Sequence, residues 1–139
     1  MFNWGNRSKE RMEGVNPLLI ECATEALKIS KHDMTIPWMG GVRTAEEQNA
    51  IFKEGNTQKD GFEKKSYHQG GNALDVIPVS GGYANDKAFR HFAACMFTAW
   101  QDILVNRLCE DHTDHAYRLE WGGHWQNFID SPHWQIVKR

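Results

Sequence analysis

What this chain of 139 residues lacks narrows its chemistry before any motif is read. It has three cysteines, Cys22, Cys95 and Cys109, an odd and scattered set without metal-ligand spacing that argues against a disulfide framework. Cys22 and Cys95 sit among apolar helical positions and read as buried, reduced thiols. It has no dominant charge: 16 basic and 18 acidic side chains leave a formal −2, which offers nucleic acid or an anionic membrane no electrostatic attraction. The short basic pairs Lys64-Lys65 and Lys138-Arg139 read as solvated ends. No apolar run approaches the ~20 residues needed to span a bilayer, and Met1 to Arg7 lacks the apolar stretch of an export signal. There is no repeat, low-complexity tract or linker. The expectation is a single domain over 1–139, made in the cytoplasm without a signal peptide, monomeric, with no membrane insertion and no nucleic-acid partner.

What is present is a mixture of helical and strand patterns. Asn16-Pro17, followed by Leu18, Leu19, Cys22, Ala23, Ala26 and Leu27, predicts a capped helix over 17–29. Met34, Ile36 and Trp38 alternate with Thr35 and Pro37, as in a short edge strand. Thr44 with Glu47 forms a capping-box pattern for a helix that Gly55 stops, so Arg43 lies at a strand-to-helix junction. The segment 56–65 is polar and reads as a loop. Residues 73–79 read as one strand, with Ala73, Asp75 and Ile77 on one face. Residues 86 to about 108 carry Phe89, Phe92, Ala93, Met96, Trp100, Ile103 and Leu104 at helical spacing. Two further strands are expected at 117–121 and 133–137. These elements predict an α+β domain, a small antiparallel sheet flanked by helices.

The most specific chemistry lies in Ser66-Tyr67-His68-Gln69-Gly70-Gly71-Asn72-Ala73-Leu74-Asp75, answered by Asp130-Ser131-Pro132-His133. His68, Asp75 and His133 supply two imidazoles and a carboxylate. That set suffices for a catalytic zinc, because three protein ligands leave one tetrahedral position for water. The glycines at 70 and 71 let the backbone bend tightly there. A turn at Ser131-Pro132 would let Asp130 converge with His133, where its carboxylate could take a proton as general base.

The spacing Ser-x-His-x-x-Gly-x-Ala-x-Asp at 66–75, with Asp130 two residues before Pro132-His133, resembles the signatures of the zinc D,D-peptidase and L,D-endopeptidase family. By residue frequencies, the first signature arises by chance on the order of once in 10^4 chains of this length. The likeness extends through Gly14-Val15-Asn16-Pro17 and Gly41-Val42-Arg43-Thr44 and is nearest to the phage endolysin branch. It implies a Hedgehog/DD-peptidase-like zinc site with Zn2+ on His68, Asp75 and His133. It implies Asp130 as the acid and base, and Arg43 as the residue that holds the substrate carbonyl and steadies the oxyanion. The implied activity is hydrolysis of the L-alanyl-D-glutamate bond in the peptidoglycan stem peptide. The implied setting is host lysis: production in the host cytoplasm, holin-type release to the periplasmic murein, and no separate cell-wall-binding domain.

Alternative readings stand beside these. A D,D-carboxypeptidase would use the same site on terminal D-alanyl-D-alanine, and a zinc-stabilised cell-wall-binding module would use it without catalysis. Arg43 also reads as a surface ion-pair residue, and Asp130 as a turn cap with Glu120 as its understudy. Ser66 reads as a substrate contact or a loop-fixing residue. Trp121, with Trp125 and Trp134, lines the cleft or belongs to the core. The run Asp111-His112-Thr113-Asp114-His115 is a rival metal cluster or a solvated connection, the latter preferred. His32 and His91 read as bland, and His124 stays open.

Overall fold

A computed structural model describes residues 1–108 and 116–139. In chain order they form α1 (Asn6–Arg11), α2 (Pro17–Ile29), β1 (Met34–Thr35), α3 (Ala45–Lys53), β2 (Ala73–Asp75), β3 (Ile77–Pro78), α4 (Asp86–Leu108), β4 (Tyr117–Trp121) and β5 (His133–Lys138). Short 3-10 turns lie at Tyr67–Gly70, Gly82–Ala84 and Gly122–His124. The fold is α+β, as the sequence predicts.

α2 begins where the sequence places it, with the Asn16 side chain accepting the Leu18 N–H at 3.0 Å and Pro17 in the first turn. It packs along α4. The apolar stripe of each helix, including Leu19, Cys22, Ala26 and Leu27 on one and Phe92, Met96 and Trp100 on the other, enters one core. α1 is absent from the sequence reading. Only Ser8 of its six residues is buried, so no apolar period announces it, and it is held by flanking Trp4 and Met12 in the core.

The sheet that positions the site is antiparallel, in the order β2-β5-β4. Side chains alternate between its faces, and the register assigns them cleanly. Leu74, Trp134, Trp121, Ile136 and Leu119 are cross-strand neighbours on one face, which belongs to or packs against the core. Asp75 opposite His133, and Glu120 opposite Gln135, occupy the other face. A slip of one residue would exchange the two faces, so the burial of Trp134 and Ile136 also selects which residues meet at the site.

Two expectations are corrected. Residues 73–79 form two strands in two sheets, β2 against β5 and β3 against β1. The chain changes sheets at Asp75 and Val76, whose N–H groups go to different partners, the Gly40 and Pro132 carbonyls at 2.8 and 2.9 Å. Pro132 has no N–H to return, so the ladder ends there. The strand expected through Trp38 stops at Thr35. Pro37 cannot donate to a ladder, and its carbonyl accepts the Gly40 N–H at 2.9 Å in a turn that leaves Trp38 76% exposed.

Candidate metal centre

His68 stands on the turn Tyr67–Gly70. Ser66 Oγ accepts the His68 N–H at 3.2 Å, and the Gln69 side chain accepts the Ser66 N–H at 2.9 Å. Ser66 therefore fixes the loop that carries the imidazole. Of the two glycines in the motif, Gly71 is the one the turn requires. Its φ is +77°, and a Cβ there would lie 2.7 Å from the Gly14 carbonyl oxygen, both of which disfavour any side chain. Asp75 ends β2, His133 begins β5, and the register sets them directly opposite.

The three side chains converge. His68 Nε2 lies 3.2 Å from His133 Nδ1 and 3.3 Å from Asp75 Oδ1, and His133 Nδ1 lies 3.4 Å from the same oxygen. The outer nitrogens determine what these atoms present. His68 Nδ1 faces the Gly41 carbonyl at 2.9 Å; a carbonyl only accepts, so Nδ1 carries the proton and Nε2 a lone pair. His133 Nε2 faces Gln135 Oε1 at 2.8 Å, while Gln135 Nε2 donates to Glu120 Oε1 at 2.7 Å. The carboxylate can only accept, which orients the amide and leaves the lone pair of His133 on Nδ1.

Two nitrogen lone pairs and a carboxylate oxygen thus share one buried point. Asp75 Oδ1 is fully buried and makes no hydrogen bond, which in a native site calls for an explanation. A cation supplies one. Edges of 3.2–3.4 Å match a face of a tetrahedron with bonds of about 2.0–2.1 Å, the length of zinc–nitrogen and zinc–carboxylate bonds. Among the described residues this is the one cluster of histidine, cysteine and acidic side chains able to hold a metal ion. The site is thus a candidate metal-binding triad of His68, Asp75 and His133.

Its electrostatics favour positive charge at the shared point, whether proton or cation. Burial opposes ionisation of Asp75, but its closeness to His68 and His133 outweighs it and holds the carboxyl well below its usual range. Burial works against a charged His133, yet Asp75 raises its pKa on balance. Asp130 shifts the other way. Burial first, and then the charge of Asp75, push its carboxyl above the ordinary range against the pull of His133, His68 and Arg43. Its Oδ2 lies 4.0 Å from His133 Nδ1. The turn at Ser131-Pro132 brings it there: the His133 N–H bonds back to the Asp130 carbonyl at 3.1 Å, and Trp121 Nε1 pins the Ser131 carbonyl at 2.8 Å. Gly122 underlies this approach, since a Cβ there would overlap the Asp130 carbonyl.

Arg43 lies just before α3, and its guanidinium is well engaged. Nε donates to the Met39 carbonyl at 2.8 Å, Nη1 to Gln48 Oε1 at 3.0 Å and Nη2 to Asp75 Oδ2 at 3.0 Å. Three of its five N–H donors are thus engaged: two fix the guanidinium on Met39 and Gln48, and the third holds Asp75. Arg43 and Ser66 also border a groove of about 530 Å³ that runs past Tyr67 and Asn72. Trp121 stacks on Trp134 at 5.7 Å and meets the edge of His124 at 4.8 Å. His124 in turn stacks on Phe97, so it joins the aromatic layer. His32 and His91 pair with each other, and His91 Nε2 accepts the Lys31 N–H. The run 111–115 lies outside the described residues.

Several contributors escape sequence reasoning. The consecutive carbonyls of Met39, Gly40 and Gly41 accept from Arg43 Nε, the Asp75 N–H and His68 Nδ1. Met39 has a φ of +64°, an uncommon conformation for a residue with a side chain. Gln48 holds Arg43, Gln135 braces His133 from behind, and Glu120, read from the sequence as a substitute base, acts through Gln135. Tyr83 lies in the field of the site: burial, Asp75 and Asp130 all push its phenol up. The one available signal was the spacing of Gln135, two residues beyond His133 on a strand and so on the same face.

Comparison with known proteins follows the same line. Residues 1–137 match the family model described as phage L-alanyl-D-glutamate peptidase. The chain is 32% identical over 95 residues to an L-alanyl-D-glutamate peptidase of Listeria phage A118, an alignment covering 68% of this chain and 28% of that protein. It thus spans little more than a quarter of that relative. Among solved structures it is similar to the Serratia marcescens L-Ala D-Glu endopeptidase ChiX, with a TM-score of 0.76, 23% identity, and coverage of 98% of this chain and 90% of that one. This last likeness concerns the fold.

Proposed function

The chain belongs to the phage L-alanyl-D-glutamate peptidase family, and from that premise we propose that it is a zinc-dependent endolysin hydrolysing the L-alanyl-D-glutamate bond of the peptidoglycan stem peptide. The observation that carries the reading is the orphaned Asp75 Oδ1 facing two imidazole lone pairs, with the carboxylate of Asp130 beside them.

His68, Asp75 and His133 would hold the metal, and zinc so bound lowers the pKa of a coordinated water toward ~7 and polarises a carbonyl. The chain's own residues do the rest. Asp130, its carboxyl raised by burial and by Asp75, is suited to take a proton from the attacking water and return it to the leaving amine. Arg43 keeps Asp75 aimed, through Oδ2. From its place on the groove it contacts the substrate carbonyl as negative charge develops. Ser66 borders the bound peptide, whereas Trp121, read from the sequence as a cleft residue, packs on the core face and steadies the turn that carries Asp130. The same reading makes the protein a monomer acting as one catalytic domain, with access to the periplasmic murein through a holin-type pore.

The test is digestion of Gram-negative peptidoglycan by the zinc-loaded protein, with and without chelator, and mass spectrometry of the fragments. New N-terminal D-glutamate, absent with chelator, is the expected product. Release of D-alanine alone would reassign the protein as a D,D-carboxypeptidase. Intact murein would leave a zinc-stabilised wall-binding module.

A further inference from the structure

The two imidazoles of the candidate centre are braced by different chemistry, and the brace behind His133 consists of side chains. We propose that Gln135 and Glu120 are positioning residues for His133, holding its Nδ1 lone pair on the metal point and thereby setting the metal affinity of the whole triad. The inference rests on the metal reading above, though not on which bond the enzyme cuts.

The geometry is a chain of polarity. Arg118 reaches Glu120 Oε2 through Nε and Nη2, each at 3.0 Å, and so orients that carboxylate. Glu120 Oε1 accepts from Gln135 Nε2 at 2.7 Å, and Gln135 Oε1 accepts from His133 Nε2 at 2.8 Å. Each bond is dictated by its neighbour, since a guanidinium only donates, a carboxylate only accepts, and an amide transmits one polarity when its two ends are so fixed. Gln135 is buried, so no solvent competes for the imidazole proton. The sheet register sets Glu120 opposite Gln135, while His133 and Gln135 share a face two residues apart. A metal-bound histidine with its far N–H so fixed is oriented and made more basic, and loss of such a partner typically costs 10–100-fold in affinity. Glu120, which the sequence offers as a substitute base, therefore acts through His133 from behind.

The test is competition for zinc between the full chain and a chromophoric chelator, alongside thermal unfolding of the zinc-free protein. Gln135→Leu should bind zinc about 10–100-fold more weakly, with the unfolding of the zinc-free protein little changed. Gln135→Glu, which sets a second carboxylate against Glu120, should also lose affinity. The double variant E120Q/Q135E keeps both hydrogen bonds with the charge moved one residue nearer the imidazole, and should recover most of what Q135E loses. Wild-type affinity in Q135L, or no recovery in the double variant, overturns the proposal, as does a wild-type chain that binds no zinc. A chain that binds zinc in this pattern yet leaves murein intact would overturn the endolysin reading while supporting this one.

Discussion

His68 and His133 aim equivalent lone pairs at one point, yet they are held in opposite ways. Behind His68 stands main chain: the Gly41 carbonyl accepts its Nδ1–H, and the adjoining carbonyls of Gly40 and Met39 accept the Asp75 N–H and the Arg43 Nε–H. Behind His133 stand the side chains of Gln135, Glu120 and Arg118. A main-chain brace is indifferent to most substitutions and fails only where the backbone cannot take a side chain. A side-chain brace can be altered atom by atom. One imidazole is thus fixed by the path of the chain, and the other can be tuned by residue choice.

That contrast can be broken at its centre. Asp75→Ala removes the oxygen that both imidazoles share and the partner of Arg43, so zinc binding should be lost in calorimetric titration. Activity should go with it. Asp130→Asn touches neither brace. Its turnover should fall by about 10^2–10^4-fold, the usual worth of a general base, with zinc affinity retained; a variant that also lost the metal would make Asp130 a ligand.

The main-chain brace should fail at Gly41, where a Cβ would run into the Arg11 carbonyl. Gly41→Ala is expected to lower stability by about 1–3 kcal/mol, the typical cost of overpacking, and to weaken zinc binding through His68. Unfolding curves of the zinc-free variant check the first effect and chelator competition the second.

The smallest effect separates disturbance of the site from disturbance of the core. Burial, with a contribution from Glu21, pushes the Cys22 thiol up to about 12 from an ordinary 9.0. Its sulfur faces the Met96 carbonyl between α2 and α4. The folded state disfavours the thiolate, so this stabilising contribution is complete below about pH 9 and is lost as pH rises toward 12. In peptide-mapped alkylation at neutral pH, Cys22 should stay unmodified in the native protein and in D130N, and become more reactive in G41A. Equal protection in all three would confine the Gly41 effect to the site.

Much of this architecture is legible in the chain. The caps at Asn16 and Thr44, the stripes of α2 and α4, and the strands at 117 and 133 follow from local rules that tertiary packing did not overrule. α1 was not legible, because its six residues bury almost nothing and depend on Trp4 and Met12 beside them. The break between Asp75 and Ile77 was not legible either, because alternation continues across it while the hydrogen-bond partners change.

The sequence by itself determined which atoms are available for chemistry: two histidines and two aspartates at a spacing that chance seldom produces, next to a proline turn that lets the last pair converge. Tertiary structure alone decided what each of those atoms presents. A histidine carries its proton on either nitrogen, and the partner of the far nitrogen makes the choice. Those partners are the Gly41 carbonyl, 27 residues from His68, and a glutamine that owes its orientation to a glutamate across the sheet, 15 residues away. No local pattern encodes such a contact; it exists only once the burial of Trp134 and Ile136 has set the register of the strands.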